Sequence, residues 1–137
     1  MSSPGAVEKD GNGSPASENR PDQRYPRSCR LTSRQQFLAV YEKGRRVSSY
    51  SFVLFGLPNQ LGYCRLGVTV TRKLGGAVVR NRIKRRLREV FRVNRHRLAP
   101  ALDLVINAKH AIVDVPAADL EREFLNRFKA LARGFRP

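Results

Sequence analysis

Residues 78–92 read VVRNRIKRRLREVFR. Seven of these fifteen are Arg or Lys, and one, Glu89, is acidic. Such a run is a disordered basic tail, a solvated helix face, or a surface built for phosphate. The apolar residues decide against the first. Val79, Ile83, Leu87, Val90 and Phe91 recur at helical spacing, and at about 100° per residue they share an arc of roughly 120°. A tail has no use for such a stripe. The segment is therefore expected to form an amphipathic helix. One side anchors to a core, and the other, with Lys84, Arg85, Arg88 and Arg92, stays cationic.

Solvated helices mix signs, because like charges four residues apart destabilise by about 0.2–0.5 kcal/mol per pair. Between Arg72 and Arg97 there are eleven Lys or Arg and the single acid Glu89, whereas the other 16 bases face 10 acids. Arg80, Lys84, Arg88 and Arg92 form an unbroken i,i+4 series of one sign. This concentration points to an anionic partner. Nine of the eleven cations are Arg, whose planar fork grips phosphate with paired hydrogen bonds and stacks on bases. Structured nucleic acid fits better than a membrane surface.

The rest of the chain sets the frame. It has 137 residues and a formal net charge of +16, which attracts polyanions. A hydrophobic content of 41% is too high for a wholly disordered basic chain. Residues 1–24, MSSPGAVEKDGNGSPASENRPDQR, nearly lack large apolar side chains. Residues 1–25 are therefore expected to be a disordered extension, and 26–137 a single domain. Cys29 and Cys64 show no zinc-type spacing and are read as reduced thiols of a cytoplasmic protein. No apolar run reaches the ~18–20 residues of a membrane span, and no secretory signal pattern opens the chain.

The elements follow from period and punctuation. In LTSRQQFLAVYEKG (31–44), Ser33 and Gln36 fit a capping box. Phe37, Val40 and Tyr41 share a helix face, and Gly44 marks the C-terminal end. YSFVLFGL (50–57) is a strand with Phe52 and Leu54 on one face and Val53 and Phe55 on the other. In YCRLGVTVTR (63–72), Leu66, Val68 and Val70 alternate with Arg65, Gly67 and Thr69. The short, turn-rich connector GLPNQLGY predicts that these two strands pair as an antiparallel hairpin. RRVSS (45–49) is a further short strand, and LDLVINA (102–108) a buried one. A last helix starts at Pro116 and carries Leu120, Phe124, Phe128 and Leu131. The order α-β-β-β-α-β-α defines an α+β two-layer sandwich.

KLGGAVVRNRIKRRLRE (73–89) closely resembles the signature of the bacterial ribonuclease P protein component. Arg80, Asn81 and Arg82 match its Arg-Asn-Arg core, and Lys84, Arg85 and Arg88 match the basics that follow. GVTVTRKLGGAV resembles the family's strand and loop, and RLTSRQQFLAVYEKG and FVLF its first helix and first long strand. The resemblance runs from about Arg30 to Ala132 and leaves the N-terminal extension without a counterpart. It implies a fold related to a domain of some ribosomal proteins, with an unusual left-handed βαβ crossover. It also implies a partnership with a catalytic RNA. That RNA, with magnesium ions, hydrolyses precursor tRNA to give the mature 5′ end, while the protein binds the RNA and the single-stranded 5′ leader.

On that resemblance two surfaces carry the work, with the protein a monomer in a 1:1 complex with the RNA. Arg82, Lys84, Arg85 and Arg88, with Arg72 and Lys73 before the helix, are expected on the catalytic RNA, and the helix N-terminus after Gly75–Gly76 offers backbone N–H groups to an anion. Phe37, Tyr41, Phe55 and Phe52, with Arg80 and Asn81, are expected to line the leader cleft. Arg80 and Asn81 are thereby partitioned to substrate, and Arg85 and Arg88 to the catalytic RNA. No catalytic residue and no protein metal site is assigned. His96 and His110 have no nucleophile beside them, and the acids are scattered, whereas a two-metal nuclease needs clustered carboxylates. Asp119, Glu121 and Glu123 suit the dipole of the last helix. A structural ribosomal protein, a packaging protein and a protein-only nuclease are the competing readings.

Overall fold

A computed structural model describes residues 26–135; the expected disorder of 1–25 lies outside them. The elements are α1 (Arg34–Lys43), β1 (Arg45–Ser48), β2 (Phe52–Pro58), β3 (Arg65–Thr69), α2 (Ala77–Asn94), β4 (Leu102–Ala108) and α3 (Ala117–Arg133). Short 3-10 turns precede α1, precede and follow α2, and precede α3. The architecture is α+β, in the order read from the sequence.

The sheet order is β1-β2-β4-β3. β1 and β2 form an antiparallel hairpin, β2 runs antiparallel to β4, and β3 runs parallel to β4. The expected β2–β3 hairpin is thus corrected, because β4 lies between the two strands. The reason is burial. All of Leu102–Ile106 is buried, and a strand covered on both faces takes the interior of a sheet. The β2–β3 connector passes over the end of β4 instead of turning back. Asn59 N donates to Ala101 O at 3.2 Å, and its side-chain amide donates to Asp103 at 2.8 Å.

The two faces of the sheet are covered unequally. Phe52 and Leu54 of β2, Leu66 of β3, and Leu102, Leu104 and Ile106 of β4 meet the stripes of α2 and α3 in one large core. This core supplies the expected two layers. On the other face α1 forms a smaller cluster, in which Leu31, Val40 and Val105 are packed by Phe37, Tyr41, Phe55 and Leu57. One ten-residue helix covers that face only in part, and Phe37, Tyr41, Phe55 and Leu57 stay partly buried there.

Local chemistry explains how α1 is placed. Ser33 Oγ accepts from Gln36 N, and Gln36 Oε1 accepts from Ser33 N and Thr32 N, which completes the capping box. Gly44 caps the C-terminus, but its φ of −85° is open to any residue. It is glycine because of space: a Cβ there meets the carbonyl oxygens of Gly56 and Val40 at 2.5 Å. Gly67 on β3 has a similar role, since a Cβ there lies 2.5 Å from two ring carbons of Phe37.

The last helix corrects the dipole account of its acids. Only Asp119 lies in the first turn, paired with Arg122. Glu121 accepts from Asn94, and Glu123 accepts from Ser51 N and from the hydroxyls of Ser49 and Ser51. These two acids pin α3 to α2 and to the β1–β2 turn.

Gly67→Ala is expected to destabilise the fold by about 1–3 kcal/mol through overpacking. The double variant Gly67→Ala/Phe37→Leu should recover part of the loss. Thermal unfolding checks this, and an unchanged midpoint for Gly67→Ala would show that Phe37 does not rest on the strand.

Candidate nucleic-acid interface

The basic helix is built as its periodicity demands. Ile83, Leu87, Val90 and Phe91 are buried, and Val79 packs at the edge of the same core. Arg82, Arg85 and Arg88 are exposed and Lys84 is half-buried. Arg72 and Lys73 are exposed on the 3-10 turn Arg72–Leu74 that leads into the helix. Gly76, the N-cap, contributes no side-chain cap, so the first turn presents its N–H groups outward.

Not every cation on the helix is available. The Arg86 guanidinium donates to Ile112 O and Val115 O, tying α2 to the 3-10 turn His110–Asp114. It is structural, and it is not among the residues expected on RNA. Arg92 forms two hydrogen bonds to Glu89, Nε to Oε1 at 2.9 Å and Nη2 to Oε2 at 2.5 Å. This contact holds the Glu89 carboxyl below the usual carboxylate range. The like-charge series is therefore relieved at its C-terminal end.

Asn81, Arg85, Arg88, Glu89 and Arg92 line one open groove of about 380 Å³. Asn81 thus shares a groove with Arg85 and Arg88 and not with Arg80. The helical angle is the reason, since Asn81 and Arg85 lie one turn apart on the same side. Arg80 stands elsewhere. It is half-buried near the apolar arc, and its buried Nε has no hydrogen-bond partner among the described residues.

On the opposite face of the sheet, α1 and the strands bring Phe37, Tyr41 and Phe55 together, all half-buried. The Tyr41 and Phe55 rings meet edge to face, with centroids 4.9 Å apart and planes at 86°. The Tyr41 hydroxyl donates to Asn107 Oδ1 at 2.8 Å and lies 3.4 Å from Thr69 Oγ1. Asn107 and Thr69 were missed as cleft residues. Strand parity could have found them, because Asn107 shares a face with Val105, and Thr69 with Gly67. Phe52 is corrected. It is fully buried in the large core on the other face and cannot line the cleft, since it is offset by an odd number of residues from Phe55.

The remaining chemistry-bearing groups are occupied or dispersed. Asp103 accepts both Nε and Nη2 of Arg65, at 2.8 and 2.6 Å, and the Asn59 amide. That pairing raises the Arg65 pKa. His96 and His110 are exposed. Cys29 and Cys64 are buried free thiols, and burial pushes Cys64 up to about 11. Among the described residues, no three His, Cys, Asp or Glu gather as a metal site.

A helix anchored on one side and Arg-rich on the other, with a separate aromatic cleft, defines a polyanion-binding α+β protein. The comparisons refine this. The family model described as Ribonuclease P matches residues 25–132. The ribonuclease P protein component of Desulfatibacillum aliphaticivorans is 43% identical over 112 residues, covering 82% of this chain and 95% of that protein. That of Escherichia coli is 38% identical over 114 residues, covering 80% and 95%. The solved ribonuclease P protein of Thermotoga maritima superposes with a TM-score of 0.69 at 31% identity, covering 74% of this chain and 96% of that one. The chain belongs to the ribonuclease P protein family.

The occupied and available arginines separate by experiment. Arg86→Ala is expected to lower stability by about 1.5–3 kcal/mol, for hydrogen bonds made by a charged donor, and to leave the salt dependence of RNA binding unchanged. Arg85→Ala and Arg88→Ala should leave stability within about 0.5 kcal/mol while each lowers the salt slope by about 0.7–0.9. Denaturant melts and filter binding across a salt series give both values. A reversed pattern would refute the assignment.

Proposed function

We propose that this chain is the protein subunit of ribonuclease P. It binds the catalytic RNA through the exposed face of α2 and the 5′ leader of precursor tRNA in the cleft beside α1. The observation that carries the reading is the one-sided α2, whose Arg-Asn-Arg stretch lies inside the family match over 25–132. In this reading Arg82, Lys84, Arg85 and Arg88, with Arg72, Lys73 and Asn81, engage phosphates of the catalytic RNA. Tyr41 and Phe55 offer ring faces to leader bases, with Phe37 behind them on Gly67. Stacking tolerates any base, at about 1–3 kcal/mol each, which suits leaders of varied sequence. Arg80 carries a buried N–H without a partner, and an acceptor on the substrate would satisfy it.

The chemistry belongs to the RNA. Magnesium held by the RNA would supply an activated water and charge stabilisation at the leaving oxygen. Among the described residues no three His, Cys, Asp or Glu gather to hold a metal, and Asp103, Asp119, Glu89, Glu121 and Glu123 are each engaged by a neighbouring side chain. The protein works as a monomer, one copy per RNA, in the cytoplasm. Among the described residues no helix is long and apolar enough to cross a membrane.

Cleavage of precursor tRNA at low magnesium tests the reading in three reactions: protein alone, RNA alone, and both. Activity only in the third is expected, and activity with protein alone would overturn the division of labour. Phe55→Leu, which keeps bulk and removes the ring, should raise KM for a long-leader substrate roughly fivefold or more. It should leave a substrate with a one-nucleotide leader unchanged.

A further inference from the structure

A cavity of about 460 Å³ opens where Arg97, Leu98 and Ala99, just after α2, meet the second half of α3. Its apolar walls include Leu98, Leu125 and Phe128, and its polar lining is Arg97, Lys129 and Arg133, with no acidic residue among the lining side chains. The size falls within the ~300–1,000 Å³ usual for small-ligand sites. It lies in the layer of α2 and α3, so the sheet separates it from the α1 cleft.

Its charge is not explained by the fold. Arg133, in the last turn of α3, suits the helix dipole. Lys129 stands one turn earlier and repeats the charge at i,i+4, an unfavourable spacing for like charges. Arg97 comes from a different element, the 3-10 turn Arg95–Arg97. Its guanidinium is held by the side-chain oxygen of Asn94. Asn94 is itself fully buried and donates to Val90 O and Glu121 Oε2, both at 2.8 Å. A buried amide thus aims one cation at two others across an apolar floor.

We propose that this cavity is a second RNA site, which takes one unpaired nucleotide. The phosphate lies among Arg97, Lys129 and Arg133, and the base lies against Leu98, Leu125 and Phe128. The three cations demand an anion, and the apolar walls demand that it carry an apolar, planar body. An unstacked nucleotide supplies both. The proposal rests on the function proposed above, and it deepens that function by adding a contact remote from the α2 face and the cleft. The nucleotide belongs either to the catalytic RNA or to precursor tRNA.

The test uses the full protein in the holoenzyme. Lys129→Ala/Arg133→Ala removes two exposed cations, so folding is expected to be retained, and a melt confirms it. For each RNA, the slope of log Kd against log salt is measured. A drop of about 0.7, the share of one single-stranded phosphate, is expected for one of them and names the source. Separately, a photo-crosslinker attached to Lys129→Cys is expected to mark an unpaired nucleotide of that same RNA; the buried native thiols do not compete. Unchanged slopes for both RNAs, or crosslinks only to another protein, would overturn the site. Arg85→Ala is run in parallel. If it weakens RNA binding while the double variant does not, the cavity is wrong and the function stands. If neither variant affects RNA binding, the functional reading itself fails.

Discussion

The cationic surface depends on how firmly α2 is held by its apolar stripe. Ile83, Leu87, Val90 and Phe91 are at most 7% exposed. Burying one such side chain contributes about 1.5–3 kcal/mol, an upper figure because unfolded chains already bury some surface. The Arg80/Lys84/Arg88/Arg92 series contains three like-charged pairs, each unfavourable by about 0.2–0.5 kcal/mol. Glu89 offsets the last of these by pairing with Arg92. The stripe outweighs the repulsion several-fold. The helix therefore forms without its partner, and RNA meets a preformed surface with little ordering entropy left to lose.

The same reasoning makes β4 the divider of the molecule. Leu102, Leu104 and Ile106 face α2 and α3, while Val105 and Asn107 face α1. Alternation on one strand thus sorts the two chemistries. The apolar parity holds the basic helix in place, and the opposite parity lines the cleft and tethers Tyr41. Asp103 anchors the cleft-side end of the strand by binding Arg65 from β3 and Asn59 from the connector. A register slip of one residue would exchange the two faces entirely. The two-sided burial of β4, which leaves no neutral register, guards against it.

Elements were legible in the sequence, and their neighbours were not. Helix periods, the Ser33–Gln36 box and the LDLVINA strand correspond to observed elements, because each rests on contacts within a few residues. The β2–β3 pairing failed because a short, turn-rich connector is equally compatible with a hairpin and with a step over an intervening strand. The better signal was the unbroken apolar run of β4, which demands a central place. Within the candidate site, Tyr41 and Phe55 converge as expected, and α2 carries its bases where the wheel puts them. Phe52 was misplaced although strand parity alone set it opposite Phe55. Asn81 shares a groove with Arg85 and Arg88 rather than with its sequence neighbour Arg80, from which about 100° of helix rotation separates it. The hydrogen bonds of Arg86 to two distant carbonyls left no local trace at all.

Charge counts therefore misstate this interface in both directions. Arg86 and Arg92 are cations of the basic segment already engaged within the protein, and a tally of that segment overcounts what RNA can use. Lys129 and Arg133 lie outside that segment and converge with Arg97, its last residue, only through tertiary structure. A polyanion responds to cations that share a surface and are not neutralised by a carboxylate of the protein. By that criterion the exposed side of α2 and the α2–α3 cavity belong to one layer. The aromatic cluster of Phe37, Tyr41 and Phe55 faces away from both, across the thickness of the sheet. In the proposed assembly, the two RNAs can then be gripped from opposite faces of one rigid sheet, so the distance between leader and catalytic RNA is set by strand packing rather than by flexible side chains.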